Sequence, residues 1–158
     1  KQRKKLYKKI LKHAEVAVEL ISARQINNRG MGWANKEIFK KLIKRINADK
    51  YIIDGPTSLI RASLGVKKNV ECVVKADAKI PEVMAASIVA KVMRDEHMRK
   101  LHDEHPRYGW KSNVGYGTKY HINAIREYGV VRYHRSVFVT TALKNESRGD
   151  HESEAEID

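Results

Sequence analysis

The spacing of apolar residues changes several times along this chain, and each change marks an element. Leu6, Ile10 and Leu11, with Tyr7 and Ala14 beside them, recur at helical spacing, which predicts a helix over about residues 1–13. Val16, Val18 and Leu20 then alternate with Glu15, Ala17 and Glu19, a strand pattern reaching to about Ile26. Asn27, Asn28, Arg29, Gly30 and Gly32 read as a loop. Asn35 is placed to cap a helix whose stripe is Ile38, Phe39, Leu42, Ile43 and Ile46. Two short apolar runs predict buried strands: Tyr51-Ile52-Ile53, broken by Asp54-Gly55-Pro56, and Val70 to Val74. A long helix follows from Pro81 or Glu82 to His105, ended by Pro106, with Val83, Met84, Ile88, Val92, Met98 and Leu101 as apolar positions. Gly109, Gly115 and Gly117 mark a loop, and a last clear helix covers about Thr118 to Tyr128 before Gly129. Helix and strand alternate, so the fold class is α/β.

Length and composition narrow this picture. A chain of 158 residues, 42% of them hydrophobic, suits one domain with a real core. No apolar run approaches the roughly 20 residues that span a bilayer, so no membrane partner is expected. The lone cysteine, Cys72, leaves no internal disulfide framework; a buried inert thiol and a cytoplasmic setting are expected. The net charge of +13 is unevenly spread. Residues 1–12 carry Lys1, Arg3, Lys4, Lys5, Lys8, Lys9 and Lys12, whereas 146–158 form an acidic tail expected to be disordered. A basic body at 1–145 predicts an anionic partner, most often nucleic acid; ordinary solvation of a lysine-rich surface is the alternative.

Against that basic surface two carboxylates stand out. Asp54 follows three apolar strand residues, and Asp77 follows Val73-Val74 just before the long helix. Ligands and catalytic groups collect where strands end in open α/β sheets. Two carboxylates brought together repel, and Mg²⁺ or Mn²⁺ would relieve that repulsion. The competing reading is that each aspartate only starts a turn. Two carboxylates are also few for two ions, and no other acidic residue stands obviously at a strand end.

A second feature lies at 113–121. Tyr116 sits between Gly115 and Gly117, which leaves its ring little shielded, so it is suited to stack on a sugar or base or else simply to cover a loop. Thr118 is placed to cap the next helix, whose N-terminus suits a phosphate, and His121 falls on its first turn. His134 and Arg135 are candidates to reach phosphate or an acidic neighbour. His97, His102 and His105 read as a solvated face without zinc geometry. Ser87, Lys91 and Arg94 have the spacing to share a groove with Asp77, or to serve packing.

Taken together, these segments resemble ribonuclease HII. The resemblance rests on Ile-Ile-Asp-Gly (52–55), on the run from Lys75 to Asp95, on Leu101 to Trp110, on Gly-Tyr-Gly-Thr-Lys-Tyr-His (115–121) and on His-Arg-Ser-Val-Phe (134–138). It covers about residues 1–143 in family order. It implies a ribonuclease H-like mixed sheet flanked by helices. It also implies a metal-dependent endoribonuclease that cuts the RNA strand of RNA–DNA hybrids and single ribonucleotides embedded in DNA, as a monomer when complete. Carried over by motif, Asp54 and Asp77 resemble two of four metal-binding carboxylates. Tyr116, with Gly115, Gly117 and Thr118 around it, resembles the segment that reads the ribonucleotide–deoxyribonucleotide junction.

The same resemblance implies departures. The family's first strand carries an aspartate-glutamate pair, then a glycine-arginine-glycine segment, and neither occurs here. The expectation is a catalytic domain lacking its N-terminal part, with an incomplete sheet. Val137 and Thr140 stand where the family usually has serine and proline. Two functions remain open: the endoribonuclease, and a non-catalytic basic module that binds nucleic acid.

Overall fold

The structure, a computed structural model, describes residues 2–56 and 69–152, and side chains as far as residue 145. The chain divides into two compact units. The first takes the chain up to Ile21 together with Arg29–Arg94; the second takes Ser22–Asn28 and the chain from Asp95 onward.

The first unit begins with α1 (Gln2–His13), a basic helix with no buried residue, whose Tyr7 hydroxyl donates to Met93 Sδ at 3.3 Å. The strand expected over 16–26 does not form. Residues 15–22 have no regular structure, and α2 (Ala23–Arg45) starts where the strand should continue. Alternation describes which way side chains face, but a strand also needs a ladder partner. Among the described residues, β1 (Tyr51–Asp54) and β2 (Val70–Val73) pair only with each other. The expected loop at 27–32 is a kink instead: within α2 only Gly30, at φ 81 and ψ 163, leaves helical geometry. Asn35 therefore lies inside helix, and its expected capping role falls away. The expected stripe does face inward, with Ile43 buried and Phe39 packed beside it.

β1 and β2 are parallel, with Ile53 opposite Cys72 and Asp54 opposite Val73. Their core is small: Ile43, Ile53 and Val70, flanked by Phe39, Tyr51 and Cys72. Cys72 is half-buried rather than fully enclosed. After β2 the chain makes a single 3₁₀ turn, Ala76–Ala78, and enters α3 (Pro81–Glu104). Pro81 suits a first helical position, where its missing N–H costs nothing, and Pro106 stops the helix shortly after its end.

The second unit holds the later part of α3, a 3₁₀ turn at Pro106–Tyr108, α4 (Trp110–Asn113), α5 (Lys119–Tyr128) and α6 (Ser136–Glu152). Its core joins Met98, Leu101, Tyr108, Trp110, Ala124 and Ile125. Tyr108 and Trp110 are stacked, with centroids 5.1 Å apart. The histidines on and just after α3 are not a solvated face: His97, His102 and His105 are half-buried, and the His105 ring meets Tyr108, Trp110 and Tyr133 edge-on. Imidazole presents an apolar body as well as polar nitrogens, so polarity by residue type misplaces it. The sequence periodicity did not announce α6, whose Val137 and Phe138 face outward. Because α6 runs to Glu152, the expected tail boundary at 146 is not an element boundary; 153–158 lie outside the described residues.

Candidate nuclease site

At the end of β1, Asp54 is exposed, and its Oδ1 accepts the Ala76 N–H at 3.0 Å. Register explains the approach: Asp54 lies opposite Val73, and Gly55 N–H donates to the Val73 carbonyl at 3.1 Å. From there Lys75 turns the chain in a left-handed conformation, φ 56 and ψ 41, and Ala76 is fully buried. Asp77 follows it, exposed on the 3₁₀ turn. One carboxylate is thus bonded to the backbone that carries the next, at the C-terminal edge of a parallel pair. Among the described residues no group of three or more histidines, cysteines or carboxylates is placed to hold a metal. Two exposed carboxylates do match the share of a Mg²⁺ site that protein commonly supplies, with water and phosphate completing it. The fit is therefore partial.

In the second unit, the chain from Gly109 to Thr118 builds the Tyr116 loop. Asn113 is buried; its Nδ2 donates to the Tyr108 carbonyl at 2.7 Å, and its Oδ1 accepts Gly115 N–H at 2.8 Å. Val114 (φ 52) and Gly115 (φ 80) are both left-handed and reverse the chain. Tyr116 N–H donates to the Asn113 carbonyl at 2.9 Å, while the ring stands 65% exposed, as its glycine neighbours lead one to expect. The Tyr116 carbonyl accepts from Thr118 N–H and from His121 Nδ1, both at 2.9 Å. Thr118 caps α5 as its sequence position predicts, its hydroxyl accepting the His121 N–H at 3.4 Å. A Cβ at Gly117 would meet only ordinary contacts, so internal space does not require glycine there.

His134 is interior. Its Nδ1 accepts Val131 N–H at 3.0 Å, and its Nε2 lies 3.3 Å from His121 Nε2, so both ring nitrogens are engaged inside the unit. Burial holds its pKa below the ordinary histidine value; the Val131 carbonyl, 3.2 Å from Nδ1, opposes this, and His121 and His105 add to it. Arg135 is half-buried with its guanidinium 4.0 Å over the Phe138 ring. Ser87, Lys91 and Arg94 are exposed on α3. Sequence reasoning missed Asn27, whose side chain donates to the His134 carbonyl at 3.0 Å and accepts Ser136 N–H at 2.8 Å. It also missed Trp110, whose Nε1–H donates to His121 Nε2 at 3.0 Å.

Known proteins place this chain firmly. The family profile described as Ribonuclease HII matches residues 1–141. The Ribonuclease HII of Anaplasma marginale (strain St. Maries) is 35% identical over 99% of this chain and 64% of its own length. That of Sulfurovum sp. (strain NBC37-1) is 38% identical over 90% of this chain and 73% of its own. The chain thus spans about two thirds of these relatives. The crystal structure of the ribonuclease H2 from Pyrococcus horikoshii OT3 superposes with a TM-score of 0.70 at 29% identity, covering 93% of this chain and 76% of that one. The mixed helix-and-strand fold and the order of its motifs are those of one group, and the chain belongs to the ribonuclease HII family.

Proposed function

We propose that this protein is an endoribonuclease that hydrolyses the RNA strand of RNA–DNA hybrids and ribonucleotides embedded in DNA. The observation that carries the reading is the bond from Ala76 N–H to Asp54 Oδ1, which ties the strand-end carboxylate to the turn that carries Asp77, in a protein of net charge +13. Asp54 and Asp77 contribute oxygens to a divalent cation, Mg²⁺ or Mn²⁺. When bound, such a cation polarises phosphate and lowers the pKa of water. The basic surface draws the nucleic-acid backbone toward them. Tyr116 stacks on the nucleotide whose 2′-hydroxyl marks it as RNA. Gly115 and Gly117 let backbone approach closely, and Thr118 opens the helix end that faces phosphate. Arg135 adds positive charge, and His134 acts from inside by fixing the segment that carries it. The protein works as a monomer in the cytoplasm.

A second reading has a specific observation in its favour. With no third metal-binding side chain grouped among the described residues, a basic module that binds hybrids without cutting them also fits. The test is cleavage of a DNA duplex containing one ribonucleotide, by the complete gene product, in Mg²⁺ and then Mn²⁺, with Asp54→Asn as control. Asparagine still accepts the Ala76 N–H, so the fold is kept while the charge is lost. Cleavage abolished by Asp54→Asn supports the enzyme. Salt-sensitive binding without cleavage in either metal supports the binding module.

A further inference from the structure

We infer that His121 is a positioning residue for the Tyr116 loop: as a neutral imidazole protonated on Nδ1, it pins the Tyr116 carbonyl and so sets the pose of the exposed ring. The inference deepens the proposed function and rests on its reading of Tyr116 as the ring that meets the ribonucleotide.

The protons follow from the partners. A carbonyl oxygen only accepts, so the 2.9 Å contact between His121 Nδ1 and Tyr116 O requires a proton on Nδ1. An indole N–H only donates, so the 3.0 Å contact from Trp110 Nε1 requires a free lone pair on His121 Nε2. His121 is therefore neutral and fixed in one tautomer. The neighbouring ring is determined too. Val131 N–H donates to His134 Nδ1 at 3.0 Å, which leaves the proton of neutral His134 on Nε2, 3.3 Å from His121 Nε2. Both Trp110 N–H and His134 N–H thus point toward one lone pair, and the donors run in one direction toward the Tyr116 carbonyl.

The loop needs such a tie. Val114 is β-branched and left-handed at φ 52, a conformation that persists only where its surroundings over-determine it. Asn113 holds the N-terminal side of the turn and His121 the C-terminal side. The His134 end is anchored in turn by Asn27.

Acid should undo the arrangement. A proton on His121 Nε2 would face two donors. A proton on His134 Nδ1 would displace the Val131 N–H and turn the ring toward the Val131 carbonyl, 3.2 Å away. The groups around the pair are His105 at the end of α3, Tyr108 on the 3₁₀ turn, Trp110 on α4 and Tyr133 before α6, whose hydroxyl donates to Glu104. Burial favours neutral His134 at ordinary pH.

Two measurements test this. The first is the imidazole ¹⁵N spectrum of the 158-residue chain at pH 7.5, expected to show His121 protonated on Nδ1 and His134 on Nε2. The opposite tautomer at His121, or a cation, overturns the proposal even if every variant unfolds. The second is the ratio of affinities, in EDTA, for duplex with one ribonucleotide over all-DNA duplex. His121→Leu is expected to lower that ratio about tenfold, the scale of one buried hydrogen bond. His121→Asn, which can still donate to the Tyr116 carbonyl, should recover most of it, and neither should matter once Tyr116→Ala is present. The ratio should also fall in acid, again only while Tyr116 is there. A ratio lowered by Tyr116→Ala but untouched by His121→Leu overturns this inference alone. A ratio that Tyr116→Ala leaves unchanged overturns the reading of Tyr116, and the inference with it.

Discussion

The Asp54–Asp77 edge and the Tyr116 loop are built on opposite plans. The edge is thin: a parallel pair of four-residue strands, a small core of Ile43, Ile53 and Val70, and two exposed carboxylates. Its geometry comes from strand register and one backbone N–H. The loop stands on a dense aromatic core in which Tyr108, Trp110, His121 and His134 are all buried and their polar atoms bonded to one another or to backbone. The difference matches the two tasks proposed for them. Charged groups that bind a cation and a phosphate must stay wet and open. A ring that distinguishes one nucleotide from another must be held still, because a small displacement erases discrimination.

The sharpest way to break this contrast is to remove one group from each side. Asp77→Asn is expected to slow cleavage of every substrate by at least about 10²-fold, the scale of losing several kcal/mol of charge stabilisation, with hybrid affinity kept within a few-fold. Tyr116→Ala should instead weaken binding of the ribonucleotide-containing duplex by about 1–3 kcal/mol, the range for lost stacking on a base. Single-turnover rates alongside filter-binding affinities separate the two. If Asp77→Asn weakens binding as much as cleavage, the edge is a docking surface.

A second comparison concerns the cores. Trp110→Ala should cost about 3–5 kcal/mol in denaturant unfolding, since it removes a fully buried ring and one of the two donors to His121 Nε2. Ile53→Ala in the thinner core should cost about 2–4 kcal/mol. Equal losses would mean that the aromatic core carries no special weight.

These regions also differ in how far the sequence disclosed them. Asp54, Asp77 and the Thr118 cap were legible because each depends on neighbours within a few residues: strand, turn, helix start. Tyr116 was legible because two glycines cannot shield a ring. The strand expected at 16–26 was wrong because alternation carries no information about a ladder partner. A local signal for the helix was present there: Ser22 accepts Gln25 N–H while Gln25 accepts Ser22 N–H, a capping box four residues long. The interior place of His134 could not be read at all. Its neighbours include Asn27, which is 107 residues away, and nothing in a histidine-arginine pair announces that.

Smaller effects probe the loop's scaffold. At Gly109, φ is +63, and a Cβ would lie 2.7 Å from Tyr120 Cε1 and 3.3 Å from Nδ2 of the buried Asn113. The Tyr120 ring is 61% exposed and can swing away, so Gly109→Ala should cost mainly the left-handed backbone, about 1–2 kcal/mol. A larger loss would show that the Tyr120 ring, or the bonded Asn113 amide beside it, cannot give way.

Acid sensitivity follows from His134. Its folded pKa is depressed below the 6.5 of a free histidine, chiefly by burial, so the unfolded chain binds its proton first. The stability it contributes is present above about pH 6.5 and is lost as pH falls toward the folded value. His134→Asn should flatten that limb of a stability-against-pH curve. A curve that keeps its slope places the sensitivity in another group.

The smallest expected effect is also the cleanest comparison, because both regions contain one strained residue that is not glycine. Lys75 precedes the Ala76–Asp77 turn at φ 56, and Val114 precedes Gly115 at φ 52. Relief of a left-handed side chain is worth about 1–2 kcal/mol, and glycine's extra unfolded freedom takes back about 0.5–1 kcal/mol. Lys75 is exposed, so Lys75→Gly should stabilise by up to about 1 kcal/mol and, if the lysine meets phosphate, reduce the salt dependence of binding. Val114 packs against the aromatic core, so Val114→Gly loses contacts along with strain and should gain nothing. If Val114→Gly stabilises as much as Lys75→Gly, the core does not hold the loop, and the two regions are built alike after all.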